Sequence, residues 1–121
     1  KIAYYHFPTI DSTNNFAKHN FAQFNKEALT VISSASQTGG RGRFQRNWVS
    51  PTGNIYLSFV LFTDLNPFFI TQIASIAVDD VLHTLNVHSR IKWPNDLVVE
   101  RKKIGGILTE KVDNALIIGI G

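Results

Sequence analysis

The stretch GGRGRFQRNW, residues 39–48, gathers three glycines and three arginines around one phenylalanine and closes on a tryptophan. Glycine opens backbone conformations closed to other residues and lets a chain approach a ligand, while guanidinium forks match carboxylate and phosphate oxygens. Such a run is built to surround an anion, although exposed loops and loose nucleic-acid contacts use the same residues. Location of charge helps to choose. Lys and Arg number 12 against 9 Asp and Glu, net +3, so Arg41, Arg43 and Arg46 account for the whole basic excess. A nucleic-acid surface spreads its cations over a face, whereas a local excess suits a compact anionic ligand. Arg101, Lys102 and Lys103 form a second basic cluster.

Several familiar sites are excluded. GxxxxGK[ST] is absent, GxGxxG fails at Gln45, and no GxSxG elbow occurs. With 0 cysteines there is no disulfide framework and no thiolate metal site, which fits a reducing cytoplasm. His6, His19, His83 and His88 lack paired metal-ligand spacing and read as surface or half-buried residues. No apolar run is long enough to cross a membrane, so no membrane partner is expected. What remains are four polar islands: DSTN (11–14), QTGGRGRFQRNW (37–48), KWPND (92–96) and RKKIGG (101–106).

These islands need a scaffold. IDSTNNFAKHNFAQF (10–24) offers cap candidates at Asp11, Ser12 and Thr13 and apolar Ala17, Phe21 and Phe24 at helical spacing. A longer helix is expected over 67–85, started by Asn66-Pro67, with Ile70, Ile73, Ala74, Ala77, Val78, Val81, Leu82 and Leu85 as its core stripe. Its Asp79 and Asp80 point in different directions and read as a solvated face. Residues 28–36 and 54–62 read as strands flanking the arginine loop, and 90–94, 96–100, 103–112 and 115–121 as an antiparallel meander. The expected class is α+β, with helices on one side of a largely antiparallel mixed sheet and a single domain over 1–121. Because ALIIGIG reads as a buried strand meeting the chain end without a partner, that domain is expected to be incomplete at its C-terminus.

Taken in order, DSTNN, QTGGRGRFQRNWVSPTGNIYLS, IKWPNDLVV, KKIGGILTE and IGIG resemble the catalytic domain of biotin protein ligase, also called biotin-[acetyl-CoA-carboxylase] ligase. The resemblance covers nearly the whole chain. One departure is Gln45, where many family members carry glycine. The resemblance implies a class II aminoacyl-tRNA synthetase-like catalytic fold and a two-step reaction. Biotin and MgATP give biotinyl-5′-AMP and pyrophosphate; a lysine of a biotin carboxyl carrier protein of acetyl-CoA carboxylase then takes the biotinyl group and AMP leaves. Implied substrates and cofactors are therefore biotin, ATP and Mg2+. A homodimer is an expectation from family members, and DNA binding has no support in this segment.

Residue by residue, the resemblance places Ser12, Thr13, Asn14 and Gln37 on a polar wall for the ureido ring, with Gly40, Arg41, Gly42 and Arg43 closing over biotin. Lys103 stands between the biotin carboxylate and the α-phosphate beside Gly106, making Lys103, Arg41 and Arg43 the catalytic cations. Arg43, Arg46, Trp48, Asn95, Asp96 and Lys103 are implied on the ATP side, with Asp96 the candidate for the metal environment. In an unrelated protein Lys103 would read as a hairpin-turn lysine and Trp48 as core. The rivals are a lipoate or octanoyl ligase or transferase of the same superfamily and a non-enzymatic RNA-binding domain. Three glycines and three mutually repelling arginines also make residues 39–48 an expected mobile flap that orders over the ligand.

Overall fold

A computed structural model describes residues 1–121. Seven strands form one sheet in the order β1-β2-β3-β7-β6-β5-β4. They are β1 (Ile2–Ile10), β2 (Leu29–Gln37), β3 (Tyr56–Phe62), β4 (Arg90–Lys92), β5 (Asp96–Val99), β6 (Lys102–Val112) and β7 (Ala115–Ile120), with helices α1 (Thr13–Asn20) and α2 (Pro67–Thr84). Only β1 and β2 run parallel; β4 to β7 form the expected antiparallel meander. The expected α+β class with a mixed, largely antiparallel sheet is the one found.

Strand β1 was not foreseen. It pairs with β2 over Ile2–Ile10, and α1 makes the crossover that a parallel pair requires. Its burial pattern shows no clean alternation, and Pro8 sits where an edge strand tolerates the missing N–H. Ser12 caps α1 by accepting from the Asn15 N–H at 3.2 Å. The helix ends at Asn20, and a 3-10 turn at Phe21–Gln23 carries the chain onward.

Strand β7 corrects two expectations. It lies between β3 and β6 with both edges paired, so ALIIGIG is a central strand and not an open edge. Its side chains also divide between two cores. Ala115 and Ile117 join Ala17, Ile32 and Val60 beneath α1, whereas Leu116 and Ile118 join Ile70 and Ile107 beneath α2. Alternate residues of a strand face opposite ways, so the helices cover opposite faces and not one side. An apolar central strand needs cover on both faces.

Helix α2 begins as expected: the Asn66 side chain accepts from the Phe68 N–H at 2.8 Å and Pro67 occupies the first turn. Its stripe is narrower than the periodicity implies. Ile70 and Ser75 are buried and Ala74 and Val78 pack against the core, while Ile73, Ala77, Val81 and Leu85 are exposed. The helix is apolar nearly all round, so spacing alone selects no face.

Ile117→Ala is therefore expected to destabilise the fold by about 2–5 kcal/mol, since it empties a fully buried site on the central strand. Ile73→Ala, at a half-exposed position, should stay within about 1 kcal/mol. Urea midpoints compare the two, and similar losses would contradict the packing assignment.

Candidate functional site

The uncharged wall is built at the N-terminus of α1. Ser12, Thr13 and Asn14 are all buried there, facing the end of β2. The Thr13 N–H donates to Gln37 Oε1 at 2.9 Å, and Gln37 Nε2 donates to Ser50 Oγ at 3.0 Å, which fixes the amide orientation. Asn14 is engaged on every side: its amide donates to Leu108 O and Glu110 Oε1, and its oxygen accepts from Ser58. Asn14 therefore shapes the wall, while the Ser12 hydroxyl, whose oxygen accepts from Asn15, keeps its proton for a ligand.

The glycine-arginine stretch divides into an anchored half and an exposed tip. A Cβ at Gly40 would lie 2.5 Å from Trp48 O, so only glycine fits between the two ends of the loop. The Trp48 N–H donates to Gly40 O, the Gly42 N–H donates to Arg46 O, and Arg41 bridges Asn47. Arg41 is held further by its head: Nε and Nη2 donate to Asn15 Oδ1, and Nη1 and Nη2 donate to Glu110. This contradicts free mutual repulsion among the three arginines as a source of mobility in this half. Arg43, Phe44, Gln45 and Arg46 are exposed, and both Phe44 and Gln45 have positive φ. The departure at Gln45 thus falls on a left-handed position, where glycine fits without strain.

Beyond the loop lies the second set of cations. Lys103 Nζ sits 2.9 Å from Asp96 Oδ1 and 4.8 Å from the centre of the Trp48 ring. Arg43 reaches Asn95 Oδ1 at 3.5 Å, and Asn95 is pinned by its own amide to Ile107 O. Gly121 makes room for the Trp48 indole, since a Cβ there would stand 2.8 Å from it, whereas a Cβ at Gly106 would meet the ring at an ordinary contact distance of 3.5 Å. Arg46 lies apart, its guanidinium near the Phe44 ring at 5.9 Å.

Together these parts border an open cleft of about 50 Å³. Ser12, Thr13, Asn14, Gln37, Arg41, Gly42, Trp48 and Gly106 line it among the residues singled out from sequence. Gly40 supports the wall from behind, Lys103, Asp96, Asn95 and Arg43 stand at the rim, and Arg46 is not brought in. Asp96 has no second carboxylate or histidine to complete a metal cluster. A Mg2+ ion there would draw most of its ligands from phosphate and water, as that ion commonly does.

Glu110 was missed. On β6 it shares a face with Gly106 and Leu108 and accepts from Asn14, Lys18 and Arg41, with ion pairs of 3.0 Å to Lys18 and 2.9 Å to Arg41. Burial pushes its pKa up, but the hydrogen bonds from Arg41, Lys18 and Asn14 and the charge of Arg41 outweigh burial, leaving it at about 2 instead of 4.5. A strand acid two residues beyond Leu108 was legible as facing the cleft side; its partners, far away in sequence, were not.

Fold and cleft define a mixed-sheet α+β ligand-binding domain with an uncharged hydrogen-bonding wall and cations on its rim. A model of the Biotin/lipoate A/B protein ligase family matches residues 6–121, and the chain belongs to that family. The bifunctional ligase/repressor BirA of Bacillus spizizenii is 37% identical over 93% of this chain. The biotin protein ligase of Leishmania major in complex with biotinyl-5-AMP superposes with a TM-score of 0.80 and 30% identity over the whole chain, which covers 56% of that structure. The Aquifex aeolicus biotin protein ligase in complex with biotin and ATP gives 0.85 and 30% over 98% of the chain, covering 50% of that structure. The chain spans 37% of the length of the Bacillus relative.

Because the Glu110 pKa is depressed in the fold, its contribution is fully present above about pH 4.5 and is lost as pH falls toward about 2. At about 1.36 kcal/mol per pH unit that contribution is on the order of 3 kcal/mol. Glu110→Gln should be less stable than wild type near neutrality yet lose less on acidification, and parallel urea-midpoint profiles for the two would contradict the assignment.

Proposed function

We propose that this chain carries the catalytic core of a biotin protein ligase, forming biotinyl-5′-AMP from biotin and ATP and passing the biotinyl group to a lysine of a carrier protein. The observation that carries the reading is the cleft itself: Ser12, Thr13 and Gln37 at one end, Lys103 and Arg43 at the rim of the other. A ligand with a hydrogen-bonding head and a carboxylate tail matches that polarity. The relatives named for biotin ligation, and those complexed with biotin, ATP or biotinyl-5-AMP, support the same choice.

In the first step a carboxylate oxygen of biotin attacks the α-phosphorus of ATP, a bond to that phosphorus forms, and pyrophosphate leaves with the electron pair of the broken bond. Two anions must meet, so fixed cations that draw both together lower the barrier. Lys103, which touches Asp96 on one side and the Trp48 face on the other, is read as one such cation. Arg43 is the second such cation, while Arg41, neutralised by Glu110, shapes the wall. Bound Mg2+ would supply charge neutralisation of the phosphates, with Asp96 as its protein contact. In the second step the carrier lysine amine, having lost a proton, attacks the acyl carbon and AMP leaves. The carrier is read as the biotin carboxyl carrier protein of acetyl-CoA carboxylase, and a homodimer as the assembly.

Lipoate ligation within the same family would leave the Ser12 hydroxyl proton facing a flexible acyl chain without a partner, which disfavours it. Incubating the full-length protein with biotin, ATP and Mg2+ should yield biotinyl-AMP by mass spectrometry, and its absence would refute the ligase reading. Lys103→Ala should lower the rate of its formation by about 10²- to 10³-fold. A folded variant with the wild-type rate would remove Lys103 from the mechanism.

A further inference from the structure

We infer that Glu110 is a positioning residue for biotin, acting through Arg41 to hold the anchored half of the glycine-arginine loop against the cleft wall. The inference rests on the ligase reading. Glu110 touches neither the rim cations nor the space between them. Its two oxygens accept from Asn14 and Lys18 of α1 and from Arg41 of the loop. One carboxylate thus joins three segments that each border the cleft: the helix start, the loop and the middle of β6.

The loop end depends on it. Arg41 is mostly buried, with 17% of its side chain exposed, so its charge needs a fixed partner. Its other partner is the neutral Asn15 oxygen. Backbone pairing of Arg41 with Asn47 and of Gly40 with Trp48 then sets where Gly42 and the indole border the cleft. Replacing the carboxylate by an amide leaves the guanidinium half-buried beside a group whose NH2 repels it. The wall should loosen around the ring-binding end while Lys103, Asp96 and Arg43 stay in place.

The test is steady-state adenylation by the full-length protein carrying Glu110→Gln, together with backbone amide exchange. The KM for biotin should rise by about tenfold or more while kcat changes by less than about threefold, because uniform binding and not transition-state contact is lost. Exchange of the Gly42 and Trp48 amides should accelerate. Lys18→Ala, which removes another Glu110 partner without touching the loop, should keep KM near wild type. An unchanged KM in folded Glu110→Gln, or an equal rise in Lys18→Ala, would overturn the inference. Should Glu110→Gln not fold, Asn15→Ala removes the second anchor of the same guanidinium; a KM rise there supports the inference and an unchanged KM overturns it. If wild type forms no biotinyl-AMP, the ligase reading has failed, and exchange alone decides on Glu110: faster Gly42 and Trp48 exchange supports it, unchanged exchange refutes it.

Discussion

The carboxylate of Glu110 reaches Asn14, Lys18 and Arg41 from a single strand position, and the shape of the cleft follows from that reach. Pairs of this kind add little stability when solvated and are hazardous when half removed. Here Glu110 is mostly buried, and its worth is geometric as well as energetic. Asn14 is turned so that its amide serves β6 and its oxygen serves Ser58 on β3, which sets the N-terminus of α1 against the sheet. Arg41 is turned so that the loop starts close to the wall. A charged ligand then meets an arginine already paired, while farther along stand Lys103, paired with Asp96, and Arg43, whose partner Asn95 is neutral.

The sheet permits this by dividing its faces. Beneath α2, Leu116, Ile118, Ile107 and Ile70 pack an apolar layer, while the α1 face carries both the larger core and the polar cleft. Small residues make the second face possible. Gly119 leaves room for Asn14, where a Cβ would stand 2.5 Å from its oxygen, and Gly121 leaves room for the Trp48 indole. Strand β6 carries Lys103 and Gly106 at one end and Glu110 at the other, so chemistry and placement share one rigid element.

What the sequence made legible was local. The Ser12 cap, the Asn66-Pro67 helix start, the meander from Arg90 onward and the four polar islands each follow from neighbouring residues. Their order along the chain carried the family resemblance, and most islands converge on the cleft. The failures were tertiary. Strand β1 earns its place through β2 as partner, α2 selects its buried face through β6, and the two-sidedness of β7 depends on what covers it. Glu110 was passed over because Arg41 and Lys18 lie far away in sequence, and Arg41 looked like a free cation for the same reason.

The central claim is that the ureido head of biotin lies on the Ser12–Gln37 wall and its carboxylate points to Lys103. A crystal structure of the full-length protein with biotin tests it most directly. The account predicts the ureido oxygen within hydrogen-bonding distance of Ser12 Oγ, the ring beside Gly42 and Trp48, and the carboxylate at the Lys103 rim. Biotin bound in the reverse orientation, or in the apolar recess lined by Val78, Leu82, Leu97 and Ile104 on the α2 face, would contradict it.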